Sequence, residues 1–290
     1  DKTPPVVNAP ANFTASSGPS GCTADVIVPP ATITEDCSTA WSVRMEGPFG
    51  TINSNGGLIA GLPVGIHRII FKATNDCNLV GADTMYITVQ DLLPPTPVCN
   101  QFLAIPVNQF GTTLVPASVF NAGSTDNCGH VFIKVKRMNT PEDVACFNPN
   151  NENNLFDDYI QFCCEDIANN NVMVIMRVYD LPPVPGPVSD ICLQGHFNDC
   201  MVQVEVQDKF PPQITCPSNL TISCEFPFTA GNLDVFGSIA FTEEDREQIC
   251  IDDPGAPGPA GPDCIGLDGL ATDNCQVEIE EADPVIDIGN

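Results

Sequence analysis

The side chains best suited to chemistry in this 290-residue chain are its fifteen cysteines and the aspartates that follow predicted strands. Such a cysteine density is typical of disulfide-bonded proteins from an oxidising compartment, and the spacings lack the paired C-x-x-C motifs of zinc ribbons. The odd count predicts a free thiol or a disulfide partner outside the sequence. We therefore expect structural cross-links in a piece of a longer extracellular protein.

Two of these cysteines, Cys163 and Cys164, are adjacent. Neighbouring side chains on a strand point to opposite faces, so we expect the two to pair with different partners. One would face the core, and the other would cross-link a loop such as that of Cys146 or Cys128. The connectivity within this region stays open.

Four further cysteines are candidates for disulfides. Cys216 and Cys224 are eight residues apart, and either a mutual bridge or separate bridges to distant cysteines fit this spacing. Cys192 and Cys200 flank His196 in a C-x3-H-x3-C pattern that could also supply three zinc ligands. Because the chain is rich in cysteine, disulfides are the favoured interpretation.

Aspartates lie where predicted strands end and in two T-D-N-C turns (125–128 and 272–275). Carboxylates from both sides of a joint, with backbone carbonyls, could complete the six to eight oxygen ligands of Ca²⁺. Aspartate is also favoured at turns for its hydrogen bonding alone. The candidate Ca²⁺ ligands are Asp91, Asp126, Asp180, Asp208 and Asp273.

The three histidines do not fit a catalytic pattern. His67, His130 and His196 lie outside motifs such as G-x-S-x-G or H-E-x-x-H. His67 falls in the alternating segment 66–71, where a position on the outward face of a strand is the ordinary explanation. We predict no catalytic residues and no enzyme activity.

Composition narrows the class of protein further. Acidic residues outnumber basic ones 37 to 10, and the resulting net charge of −27 disfavours binding to nucleic acid. Apolar residues make up 43% of the chain, enough for buried cores, and the sequence has no apolar run long enough to insert into a membrane. The 28 prolines and 22 glycines predict short strands and many turns.

The elements that position these residues repeat along the chain. D-x-x-P-P begins at Asp1, Asp91 and Asp208, and the last two copies follow the alternating segments 84–90 and 201–207, which predict strands. Proline ends a strand ladder and stiffens a link. We therefore divide the chain into unit one (1–90), unit two (91–207) and unit three (208–290), the last incomplete at its C-terminus.

The units are of the size of β-sandwiches, with additions. Unit two carries the Asn-rich segment 148–154, and the Pro-rich segment 181–187 lengthens what would otherwise be a tight hairpin. Together with the turn and strand pattern, this predicts an all-β chain of tandem immunoglobulin-like β-sandwich domains in an extended rod.

Unit one resembles a hyalin repeat, an immunoglobulin-like module. The resemblance rests on D-x-x-P-P at Asp1, on the segment Pro29–Cys37, on G-L-P-V-G at 61–65 and on F-K-A-T-N-D at 71–76. Units two and three are similar to the repeats of giant secreted surface proteins of Bacteroidetes, which include gliding adhesins and surface filaments. This resemblance implies display on a bacterial cell surface.

These observations predict a structural or adhesive segment of a giant extracellular filament or adhesin, stabilised by disulfides and by Ca²⁺. Such a chain would assemble with identical chains into an oligomer or fibre, or attach to a cell-surface protein or glycan. The alternative is a glycan- or protein-binding module appended to a larger secreted protein or enzyme.

Overall fold

The computed structural model describes residues 2–36, 40–139, 146, 148–168, 172–188, 195–217, 219, 236–251 and 263–275. Within these ranges the regular structure is nearly all β-strand, with short helical turns at Ala117–Phe120 and Cys164–Asp166. The predicted all-β class of tandem immunoglobulin-like domains is confirmed. In the described part of the chain no helix is long and apolar enough to cross a membrane.

Unit one forms one large sheet and two strand pairs. The large sheet has the order β2-β9-β8-β5-β6, with β2 parallel to β9, while β3 pairs with β7 and β1 with β4. The strands are β1 (Val6–Asn8), β2 (Phe13–Ser16), β3 (Thr23–Val28), β4 (Thr32–Thr34), β5 (Trp41–Gly47), β6 (Gly50–Ile52), β7 (Gly57–Pro63), β8 (Gly65–Asn75) and β9 (Val80–Gln90).

Alternation along β8 and β9 builds the core of unit one, because every second side chain faces the opposite sheet. On β8, Ile69 and Phe71 are fully buried. His67 shares their phase and is half-buried, whereas Ile66 is 73% exposed. The prediction that His67 faces outward is therefore wrong. Segment 66–71 has apolar residues in both phases, so the sequence did not define which face is buried.

Unit two repeats this plan. Its sheet has the order β10-β15-β14-β12, with β10 parallel to β15, and β11 pairs with β13. The strands are β10 (Phe102–Pro106), β11 (Thr112–Pro116), β12 (Phe132–Arg137), β13 (Tyr159–Cys163), β14 (Val172–Tyr179) and β15 (Phe197–Gln207). The predicted strands at 84–90 and 201–207 are confirmed as the ends of β9 and β15.

The core of unit two contains a buried ion pair beside its apolar side chains. The Arg137 guanidinium donates two hydrogen bonds to the Asp166 carboxylate, at 2.9 and 2.6 Å. Their side chains are 2% and 3% exposed. A pair this buried must be geometrically well matched, since each ion has lost its hydration.

Unit three has shorter strands in its described part. β16 pairs antiparallel with β20, β17 runs parallel to β20, and β18 pairs with β19. The strands are β16 (Gln213–Thr215), β17 (Ile239–Ala240), β18 (Gln248–Ile251), β19 (Asp263–Leu267) and β20 (Gly269–Thr272).

Candidate functional site: the two joints between units

The start of each unit is built in the same way. The residue directly after Pro-Pro pairs antiparallel with a threonine: Val6 with Thr34, Thr96 with Thr125, and Gln213 with Thr272. In each unit a cysteine follows that threonine by three positions. This pairing fixes the T-D-N-C turns of units two and three next to the links that precede them.

At the first joint, between units one and two, the side chain of Asn127 reaches across to unit one. Its Nδ2 donates to Ser17 Oγ (3.0 Å), to the Gly18 carbonyl (3.2 Å) and to Asp91 Oδ1 (3.2 Å). Asp91 Oδ1 also accepts a hydrogen bond from Ser17 Oγ. One amide nitrogen thus ties the turn of unit two to the end of unit one and to the link.

A disulfide closes the same joint. Cys128, at the end of the T-D-N-C turn, is bonded to Cys22 of unit one, with a Cα–Cα distance of 4.5 Å. The turn itself is held by Asp126, whose Oδ2 accepts a hydrogen bond from the Cys128 backbone N–H at 2.8 Å. This is the turn chemistry for which aspartate is favoured.

The second joint, between units two and three, repeats these contacts. Asn274 Nδ2 donates to the Asn108 carbonyl (3.2 Å) and to Asp208 Oδ1 (3.1 Å). Cys275 is bonded to Cys164 of unit two, with a Cα–Cα distance of 5.2 Å. Asp273 Oδ1 accepts a hydrogen bond from the Asn274 N–H.

The receiving ends of units one and two correspond residue by residue. Gly18 and Asn108, whose carbonyls accept the amide, each donate their own N–H to a threonine at the start of the next strand. The Val64 N–H bonds to the Cys22 carbonyl. The Cys164 N–H bonds to the Gly111 carbonyl in the same way. The cysteine that is bonded to the next unit is therefore the acceptor residue of this hydrogen bond at the first joint, where it is Cys22. It is the donor residue of the equivalent hydrogen bond at the second joint, where it is Cys164.

Gly111 lets the second joint close. A Cβ added there would lie 2.5 Å from the Asn274 carbonyl oxygen and 2.7 Å from Cys164 Sγ, and its φ of +71° is unfavourable for other residues. Only glycine allows the turn of unit three to approach this closely.

The candidate Ca²⁺ ligands divide between the joints. Asp91, Asp126 and Asp180 line one cavity of about 530 Å³ at the first joint. Asp180 holds His196 there, accepting from its backbone N–H (2.7 Å) and bonding its Nδ1 (2.9 Å). Asp126 Oδ1 is buried and has no hydrogen-bond partner among the described residues.

At the second joint the two predicted ligands are engaged in hydrogen bonds to the protein: Asp208 with Asn274 and Phe210, and Asp273 with Asn274. None of the five aspartates belongs to a group of three potential ligands within 4.8 Å of one another in the described ranges.

The group that does meet this spacing is Cys146, Cys163 and Asp166. Its two cysteines are bonded to each other, and Asp166 is paired with Arg137. These three residues therefore form a structural cluster and leave no free ligand set for a metal.

The structure describes two of the other four cysteines predicted to form disulfides. Cys200 is bonded to Cys99 within unit two, so it is not a thiolate ligand for zinc beside His196. Cys216 is exposed and, like Cys77, has no disulfide partner within the described residues. Cys192 and Cys224 lie outside the described residues.

Several residues of the joints were not predicted from the sequence. Of the adjacent pair, Cys163 is bonded to Cys146, one of the predicted alternatives, whereas the partner of Cys164 is Cys275 of the next unit, which was not predicted. Asn127 and Asn274 lie in the two predicted T-D-N-C turns, but no contact between units was predicted for them. The signal that could have found them is the repeat of T-D-N-C itself, which keeps an asparagine before each clamping cysteine.

The fold and joints define a chain of tandem immunoglobulin-like β-sandwich domains linked covalently from unit to unit. No protein-family model and no curated protein sequence matches this chain. It is similar in fold to mouse cadherin-23 EC22-24 (TM-score 0.40, 12% identity, covering 93% of this chain and 98% of that one). The titin I-band fragment I67-I69 has a TM-score of 0.35 and 9% identity over 94% and 98% of the two chains. Human mucin-like protocadherin EC1-2 has a TM-score of 0.36 and 15% identity over 70% and 98%.

Proposed function

We propose that this chain is a mechanical, adhesive segment of an extracellular surface filament or adhesin and not an enzyme. The observation that carries the proposal is the repeated joint, in which an asparagine amide and a disulfide both bind each unit to the one before it. Covalent bonds between units resist bending and extension, which a binding or catalytic module does not need.

The five disulfides of the described residues support an extracellular location, since such bonds persist in oxidising compartments. The resemblance to surface repeats of Bacteroidetes favours display on a bacterial cell. Assembly into a homo-oligomer or fibre, or attachment to a surface protein or glycan, belongs to the same proposal.

The shape of the full chain in solution tests this proposal. The longest strands have 11 residues, or about 36 Å, so three units in line form a rod of about 110 Å with a radius of gyration of about 33 Å. A compact globule of the same length has a radius of gyration of about 19 Å. Small-angle X-ray scattering that gives the smaller value would overturn the rod.

A second proposal is that Ca²⁺ binds in the cavity of the first joint. The buried Asp126 Oδ1 has no hydrogen-bond partner among the residues that the structure describes, and Asp91 and Asp180 line the same cavity. Oxygen ligands of this kind are those that Ca²⁺ prefers. Bound Ca²⁺ would then stiffen the joint further.

Thermal unfolding with added Ca²⁺ and with EGTA tests the metal. We expect a higher midpoint with Ca²⁺ for the natural chain and for Asp36→Asn, an exposed acidic control. Asp126→Asn should abolish the difference. An identical midpoint with Ca²⁺ and EGTA in the natural chain rules against calcium.

A further inference from the structure

A polar cavity on the outer face of unit one concentrates positive charge in a strongly acidic chain. Only 10 of the 290 residues are lysine or arginine. Arg44 on β5 and Lys72 on β8 are nevertheless directly opposite each other in the antiparallel sheet. Like charges opposite each other destabilise a sheet. Local conflicts of this kind are expected at functional sites.

One carboxylate lies between the two cations. Glu46 accepts a hydrogen bond from Arg44 Nε (2.9 Å) and from Lys72 Nζ (2.6 Å). Lys72 first, and Arg44 second, hold the pKa of Glu46 below its usual value, so it is ionised at neutral pH. One carboxylate between two cations leaves one positive charge in excess. Its hydrogen bonds also fix the positions of the Arg44 and Lys72 side chains.

These cations border an open cavity of about 340 Å³. It is lined by Ser42, Val43, Arg44, Asn53, Lys72 and Thr74. A space of this size lies at the lower end of ligand pockets and accommodates a small ligand.

The cavity has unused hydrogen-bonding groups. In the described part of the chain, Arg44 makes a side-chain hydrogen bond through Nε alone, so its two terminal nitrogens are free to donate. The side chains of Ser42, Asn53 and Thr74 likewise have no hydrogen-bond partner among the described residues. Hydroxyl and amide groups both donate and accept, and sugar hydroxyls require partners of that kind.

We infer that this cavity binds an acidic sugar, with the carboxylate of a uronic acid on Arg44 and Lys72 and the ring hydroxyls on Ser42, Asn53 and Thr74. Guanidinium binds carboxylate through paired hydrogen bonds, which gives the site its preference for charge. The negative charge of the rest of the chain does not prevent this, because repulsion beyond about 8 Å is screened at physiological salt. An acidic peptide is a poorer match, since it offers carboxylates and backbone N–H and C=O groups but no hydroxyl that both donates and accepts at one atom.

Calorimetric titration of the full chain at fixed ionic strength tests the site with trigalacturonic acid as the probe. The first comparison ligand is the same trisaccharide with its carboxylates reduced to alcohols, and the second is triglutamate. We expect the acidic sugar to bind most tightly. Equal affinity for the reduced sugar or for triglutamate, or an absence of binding at millimolar probe, would overturn the assignment.

Two single variants and one control locate the binding. Arg44→Gln and Lys72→Gln should each weaken binding of trigalacturonic acid by at least about tenfold, as expected for the loss of a charged hydrogen bond. Lys209→Gln makes the same change in charge on an exposed residue at the link to unit three and should leave affinity unchanged. An equal loss in all three variants, with thermal midpoints preserved, would show that the acidic sugar responds only to net charge.

Discussion

Each joint is held by an asparagine amide and by a disulfide, and the effect of removing each of them can be predicted in detail. At the first joint, Asn127→Ala removes the amide that bonds Ser17, Gly18 and the Asp91 carboxylate. The nitrogen has two hydrogens, so it supplies at most two full hydrogen bonds, one of them to a charged group. Their loss costs about 3 kcal/mol of docking free energy, or a factor of about 150 in the ratio of docked to undocked joints.

With the Cys22–Cys128 bond in place, this loss is masked, because the cross-link keeps the two units in contact. We therefore expect Asn127→Ala alone, and Cys22→Ser with Cys128→Ser alone, to leave the solution shape nearly unchanged. Only the triple variant should release the joint. The serine substitutions are preferable to a reductant, which would also attack the disulfides within the units.

Small-angle scattering of the full chain provides the measurement. The triple variant should give a broader distribution of interatomic distances than either parent variant. Asn100→Ala in the same Cys-free joint is the matched control, since its amide bonds the Val119 carbonyl inside unit two. If the triple variant scatters like the natural chain, the amide and the disulfide do not hold the joint.

Three further predictions concern single positions. Gly111→Ala should displace the turn of unit three around the intact Cys164–Cys275 bond, whereas Gly61→Ala, with a similar φ of +68° but nothing near its added Cβ, should only add local strain. Hydrogen exchange at the second joint distinguishes the two variants. Asp166→Asn leaves Arg137 buried without a counter-charge and should destabilise unit two by about 3 to 5 kcal/mol in denaturant unfolding; full stability would refute the ion pair. The Ser238 N–H, and then that of Glu247, hold the pKa of Asp268 below its usual 3.8. The resulting stability is therefore present above that pH and is lost as the pH falls through the folded pKa. Asp268→Asn should flatten the acid unfolding curve of unit three, and an unchanged curve would contradict the assignment.

Much of the fold could be predicted because it depends on local patterns. Alternation at 84–90 and 201–207 correctly predicted strands, which form the ends of β9 and β15. The sequence does not indicate which face of β8 is buried, since Ile66 lies on one face and Ile69 and Phe71 on the other. Burial decides that question, and burial depends on the opposite sheet.

The joints were less predictable because their partners are far apart in sequence. Cys22 and Cys128 are 106 residues apart, and cysteine spacing does not define connectivity. For Cys163 and Cys164, strand geometry correctly indicated separate partners, but β13 ends at Cys163. The second thiol is therefore presented by the following turn to another unit, and a single-unit view could not include that partner.

The two disulfides that cross the joints also determine where a pulling force travels. Tension that reaches Cys22 passes directly to Cys128, and tension that reaches Cys164 passes directly to Cys275. Nearly all of the buried side chains of unit one lie in the sequence between Cys22 and Cys128, and so they are not on this route.

The route between the joints is shortened again by the Cys146–Cys163 bridge. Of the roughly 250 residues from Cys22 to Cys275, only about 20 lie on this route and can be drawn out under load. Their fully extended length is about 70 Å, whereas an uncross-linked chain between the same cysteines would extend to about 900 Å. β12 is the strand of unit two that lies on this route. A stretched filament made of such units would act as a short covalent tether, with the core of unit one beside the line of force and β12 of unit two on it.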